Sequence, residues 1–334
     1  MIRLSNRVRS AGLISLAALS VLSLPMLQAA AQQEVPPAPA QEQPTAPAAS
    51  AAPVLPKIDP ANFTATTPSK EVVNAFLQNS WGYDENRLWE VWAIQKTSVE
   101  GISKVVIYVA DKTGKQKPSG IQFFVLQDQK HIIAGDEIIP FGDHPYAEYR
   151  SILQQKADGP YRGSASKDFE IVEFADFQCP HCKEAQANME KLATDFPKAR
   201  IVFQNYPLPQ HTAAAPAAAY GVCVTKLGGS NAFFQFAGAV FEGQDGLATP
   251  DGATMTLNSA VTKAGLDPAK VSACATTPAA TAQVDASVKL AKELNIMQTP
   301  TLEVNGRQVP LGGVPYEIIK QIVAYQAKLD GIGQ

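Results

Sequence analysis

Hydrophobic positions along the chain change period several times, and each change marks an element. After Ser69, which is placed to cap a helix, Val72, Val73, Phe76 and Leu77 fall on one side. Strand alternation follows. Trp89, Val91 and Ala93 alternate with Glu90 and Trp92, and Val105, Ile107 and Val109 alternate with Val106 and Tyr108. Gly114 and Pro118 make 111–119 a loop, and Asp128-Gln129 joins two further apolar runs, 121–126 and 131–134. Helical spacing returns over 145–156. Residues 169–174 read as a strand buried on both faces. From Cys179 the helical period resumes through Cys182, Ala185, Met189, Leu192 and Phe196. Arg200–Tyr206 is a strand ending at Pro207 and Pro209. Residues 212–294 are mostly helical around a Gly- and Thr-rich loop at 243–254. Leu302–Val304 and Gln308–Leu311 form a hairpin on Asn305-Gly306. A last helix gathers Ile318, Ile319, Ile322, Val323 and Leu329.

This order predicts an α/β domain with a helical insertion over 161–334. A small α+β domain with an antiparallel sheet precedes it over 69–142, and 143–160 is a helical connector. No internal repeat is evident. At 334 residues and 46% hydrophobic the chain has room for both cores. With 28 basic against 31 acidic residues, nothing points to nucleic acid or an anionic membrane surface.

The N-terminus departs from this balance. Residues 1–31 carry Arg3, Arg7 and Arg9 and no acid, then an uncharged apolar run from Ala11 to Leu27 and the small residues Ala29-Ala30-Ala31. That is the layout of a cleaved secretory signal. An uncleaved membrane anchor is the alternative, since the run is near spanning length; Pro25 and the alanine cluster favour cleavage. The absence of cysteine here argues against lipidation. Residues 32–68, mostly Ala, Pro and Gln at first, read as an extended linker. Either way, the remainder is exported to a disulfide-permissive space.

The chemistry concentrates in Cys179-Pro180-His181-Cys182. Pro180 is tolerated in a first helical turn. Cys179 therefore stands at a helix N-terminus, where free N–H groups and the macrodipole favour a thiolate, and His181 adds a second electropositive group. A structural staple is the bland alternative, but closing so short a loop stabilises little. Haem attachment would need His where Lys183 stands. Zinc would need about four ligands, whereas His211 is distant and no second such pair exists. Cys223 and Cys274 are the remaining two of four cysteines. They are either buried thiols or, as an oxidising compartment favours, a structural disulfide. Glu173 sits mid-strand, where burial would raise its pKa. His131, His144 and His211 read as surface or structural.

From Phe169 to Leu329 these residues resemble the DsbA family of exported thiol–disulfide oxidoreductases, which have a thioredoxin fold. The resemblance implies Cys179 as the exposed nucleophile, Cys182 as the buried resolving thiol, and Pro180 and His181 as tuners of the pair. It also implies that Glu173 manages the proton of the buried cysteine. Thr299-Pro300 takes the family's cis-proline position, with the Thr299 backbone pairing the substrate peptide. No cofactor or metal is implied, because the cysteines are the redox centre. The partners implied are cysteine-containing client proteins and a membrane or soluble redox partner that recycles the enzyme. The stretch Phe124–Asp136 resembles the N-terminal dimerisation domain of the isomerases DsbC and DsbG, which would make the chain a homodimer; its 111–119 loop is longer than theirs. Two other readings stand beside disulfide formation: a dimeric isomerase or reductase, and a chaperone or binding module with inert cysteines.

Overall fold

A computed structural model describes residues 53–114 and 117–332. The signal segment 1–31 and linker residues 32–52 lie outside the described residues. Ser69 caps α1 (Lys70–Trp81), its hydroxyl accepting from the Val72 amide. Val73, Phe76 and Leu77 form the buried face, as the spacing predicts. Five antiparallel strands follow in simple order: β1 (Arg87–Lys96), β2 (Ser103–Asp111), β3 (Ser119–Val125), β4 (His131–Ala134) and β5 (Glu137–Pro140). The rings of Phe76, Phe123 and Phe141 lock α1 onto this sheet.

Two details depart from the sequence reading. Trp92 is a bulge: Val91 pairs with Ile107 but Ala93 with Val106, so alternation breaks and both Ala93 and Ile94 are buried. Strand β5 was not expected. It is short, and its pairing through Ile132–Ile139 and Ile133–Ile138 is what makes it a strand.

The connector is α2 (Ala147–Lys156). The second sheet comprises β6 (Tyr161–Gly163), β7 (Glu170–Ala175), β8 (Arg200–Asn205), β9 (Thr301–Val304) and β10 (Arg307–Pro310), in the order β10-β9-β7-β8-β6. Strands β7 and β8 are parallel, joined by α3 (Pro180–Asp195); the other pairings are antiparallel. Ile171, Ile201, Leu302 and Val304 pack on α3 and on α8 (Tyr316–Leu329). On the opposite face Val172, Phe174 and Val202 meet α2 and α7 (Pro278–Glu293). This is the expected thioredoxin-type α/β fold, preceded by a small α+β unit.

The insertion consists of α4 (Ala214–Glu242), α5 (Pro250–Lys263), α6 (Pro268–Ala275) and α7. Helix α4 breaks at Gly229, whose φ of 76° lies where L side chains are strained. The loop expected at 243–254 is shorter than predicted. A 3-10 turn fills Gln244–Ala248, and Thr249 then caps α5 with Pro250 in its first turn. In α8 the buried stripe is Ile319, Ile322, Val323, Gln326 and Ala327, whereas Leu329 is 40% exposed. Leu329 is the last residue of the helix. At the β9–β10 turn Asn305 and Gly306 have φ of 48° and 87°, the two-residue hairpin geometry that Asn-Gly favours.

The two sheets meet through specific bonds. Arg307 on β10 is buried and donates to the carbonyls of Asn79 and Ser80 at the end of α1. The hydroxyl of Tyr325 on α8 donates to Gln78 O at 2.7 Å. Among the described residues no helix is long and apolar enough to cross a membrane.

Candidate active site

Strand β7 ends at Ala175, and Asp176-Phe177-Gln178 turn the chain into α3. Cys179 is the N-cap of α3, with Pro180 in its first turn. Both cysteines are free thiols. Cys182 is fully buried, and Cys179, expected to be the exposed sulfur, is only 5% exposed. Thr299 lies against it. As a thiol Cys179 reaches the Thr299 carbonyl at 3.6 Å, and the Thr299–Pro300 bond is cis.

The Cys179 thiol is pushed down to about 5. The hydrogen bond from the Cys182 thiol contributes most. Burial opposes ionisation, while the Thr299 hydroxyl and the backbone N–H groups of Cys182 and His181 favour it. The Thr299 hydroxyl is buried and makes no hydrogen bond of ordinary geometry. Cys182 is pushed far upward, chiefly by burial and by the bond it gives to Cys179. Two chemically identical thiols thus differ in opposite directions, Cys179 favouring the thiolate and Cys182 the thiol.

The imidazole of His181 is not on the sulfur. Its side chain is 66% exposed, and Nδ1 lies 3.1 Å from Glu184 Oε2. Glu184 raises its pKa, with a smaller contribution from the Cys179 thiolate. His181 therefore reaches Cys179 mainly through its backbone amide. Glu173 is 3% exposed beneath the active-site helix. Burial pushes its carboxyl up to about 7, and the side-chain amide of Gln186, donating at 2.9 Å, partly offsets that.

Sequence reasoning missed two glutamines. Gln244 donates to both Phe177 O and Cys179 O at 2.9 Å. Gln178 reciprocates, donating to Leu247 O at 3.3 Å and accepting from the Ala213 amide at 2.7 Å. No local pattern signals such a contact, since its partners lie more than thirty residues away. His211, read as surface or structural, has Nδ1 2.8 Å from Asp176 Oδ2. His131 lies outside the site and pairs with Asp128. Cys223 and Cys274 form a disulfide between α4 and α6, in the same core as Phe177, Cys179 and Cys182.

The thioredoxin family model matches residues 155–323, just over half of the chain. The chain belongs to the thioredoxin family. No curated protein matches it significantly. Among solved structures, a thioredoxin-like oxidoreductase from Silicibacter pomeroyi DSS-3 is similar at 24% identity and a TM-score of 0.45, over 54% of this chain and 98% of that one. The thiol-disulfide exchange protein alpha-DsbA2 from Wolbachia pipientis has 21% identity and a TM-score of 0.46, over 53% and 95%. DsbA2 from Pseudomonas aeruginosa has 26% identity and a TM-score of 0.42, over 50% and 93%. Within the thioredoxin family, the matched segment runs from the end of α2 into α8 and so includes Cys179, Cys182, Glu173 and Pro300.

Proposed function

We propose that the chain is an exported thiol–disulfide oxidoreductase that forms disulfides in client proteins. The observation that carries this reading is the Cys179 sulfur, depressed to about 5 at the N-cap of α3 and accepting a hydrogen bond from the buried Cys182 thiol. Whatever stabilises that thiolate stabilises the dithiol form, and so makes the disulfide form a stronger oxidant. A client thiolate attacks Cys179 in the disulfide, Cys182 departs, and a second client thiolate displaces Cys179 to leave a client disulfide. Glu173, a buried acid close to neutral, is suited to supply and take back the proton of Cys182. The Thr299 backbone beside Pro300 is the pairing edge for the client. The basic and apolar N-terminal segment supports export, and a separate redox partner reoxidises the pair.

The test is to mix the oxidised protein with a reduced, unfolded disulfide protein and follow disulfide formation, alongside the reduction potential of the pair. Disulfides should form with wild type and not with Cys179→Ser. A potential as reducing as that of a cytosolic reductase overturns the oxidase reading.

A second reading, a dimeric isomerase, is favoured by the α1 and β1–β5 unit, which carries no evident chemistry of its own. Light scattering on the mature protein and refolding of a scrambled substrate decide it. A monomer at tens of micromolar that cannot reshuffle disulfides excludes it. A protein inert to glutathione would instead be a binding module.

A further inference from the structure

Beside the cysteines lies a second pair of titratable groups to which the mechanism above gives no role. The Asp176 side chain has no exposed surface, and buried carboxyl oxygens require donors. They have three. The Gln178 amide donates to Oδ1 at 2.7 Å, and Oδ2 accepts from the Leu208 amide at 2.8 Å and from His211 Nδ1 at 2.8 Å. Because a carboxylate only accepts, His211 carries its proton on Nδ1 in this contact. Leu208 and His211 belong to the segment between β8 and α4, and the His211 ring reaches the surface.

The peptide N–H of the same Asp176 points at Cys182 Sγ, 3.4 Å away. Burial, the bond given to Cys179, and the negative charges of Cys179 and Glu173 all oppose a thiolate on Cys182, whereas this N–H favours one. The Tyr206 amide donates to Ala175 O at 2.8 Å and so holds one side of the peptide plane that carries the Asp176 N–H. The three donors on the Asp176 side chain hold the other side, and His211 is the one side chain among them.

We propose that His211 is a positioning residue for disulfide exchange: through the Asp176 carboxyl it holds the Asp176 amide on the Cys182 sulfur while that sulfur departs. This rests on the exchange chemistry proposed above. When a client thiolate attacks Cys179, a client–Cys179 bond forms and the Cys179–Cys182 bond breaks. The electron pair of the broken bond passes to Cys182, which accepts from the Asp176 amide and is then protonated, Glu173 being the buried acid beside it. A better-stabilised leaving thiolate departs faster.

The experiment compares two rates in the full mature chain. In the first, glutathione attacks the oxidised protein and products are counted by mass after acid quench; Cys182 is the leaving group. In the second, iodoacetamide alkylates Cys179 in the reduced protein; Cys182 does not depart. A bond to a charged group supports an effect of about tenfold. His211→Ala should therefore slow the first rate about tenfold and change the second less than about twofold. His211→Asn should recover most of the loss, because its Nδ2 lies where Nδ1 lies in histidine. His211→Gln, whose donor is one bond further out, should remain slower than His211→Asn and serves as the comparison should the alanine variant unfold. An unchanged first rate, equal slowing of both rates, or Asn no faster than Ala or Gln overturns the proposal. Wild type inert to glutathione overturns the oxidoreductase reading as well, and is recognised by the failure preceding any substitution.

Discussion

Gln186 donates to Glu173 across the base of the active-site helix, Nε2 to Oε1 at 2.9 Å. The donor steadies the carboxylate form against a burial penalty that has raised the carboxyl to about 7. Removing the donor should raise it further. The pH profile of exchange in Gln186→Ala should then shift upward relative to wild type, and a downward shift would contradict the assigned contact.

Glu173 should also leave a signature in stability. Its pKa is raised in the folded protein, so its favourable contribution is full below the unfolded value near 4.5 and is lost as pH rises through about 7. Across that window the penalty grows to on the order of 3 kcal/mol. Glu173→Gln carries no such dependence. The difference in urea stability between variant and wild type should move in favour of the variant from pH 4.5 to pH 7.5 and then level off. Glu170 and Glu303 are also raised by burial, but both remain in the variant and cancel in the difference.

The thiolate absorbance of Cys179 should titrate near 5. Since the Cys182 thiol is the largest contributor, Cys182→Ala should raise that midpoint more than His181→Leu does, because the imidazole of His181 faces Glu184. The reverse order would show that the ring swings onto the sulfur in solution.

The Cys223–Cys274 bond closes a separation of 51 residues. In the chain-entropy model a loop of that length is worth about 4 kcal/mol. Cys223→Ala/Cys274→Ala should lose stability of that order in chemical denaturation and retain exchange activity where it folds. Loss of exchange by a folded double variant would give the bond a place in the redox cycle.

Arg307 caps two carbonyls at the end of α1 while stacked between Tyr83 and Tyr146. Bonds to a charged group are worth about 1.5–3 kcal/mol. Arg307→Ala should destabilise the protein by roughly that amount, and hydrogen exchange in 70–81 should rise more than in β7.

Much of the site was legible because its chemistry is local. The spacing of Cys179 and Cys182, the proline in the first turn, and an acid inside the apolar strand at Glu173 all lie within ten residues of one another. Ser69 and Asn305-Gly306 signalled their turns in the same way. Even where the sequence placed a residue correctly, it did not show which way the side chain would turn: His181 has Glu184 one helical turn away as a competing partner. The Trp92 bulge could not be read, because a bulge depends on the opposing strand. Thr249-Pro250 was a helix start hidden among residues that usually mark loops. Gln244, Asp176 and His211 acquire their roles only from contacts across 30 or more residues, which no periodicity reports.

The interlocked Gln178 and Gln244 tie the turn carrying Cys179 to the 3-10 segment between α4 and α5. That turn is also held from below, where the Asp176 carboxyl accepts from the Leu208 amide and from His211. Gln244 adds an anchor from the helical lobe, which the disulfide cross-links. The second disulfide thus acts as a brace for the scaffold and not as a participant in the exchange, and its loss should be read in the ease of unfolding and not in the rate at Cys179.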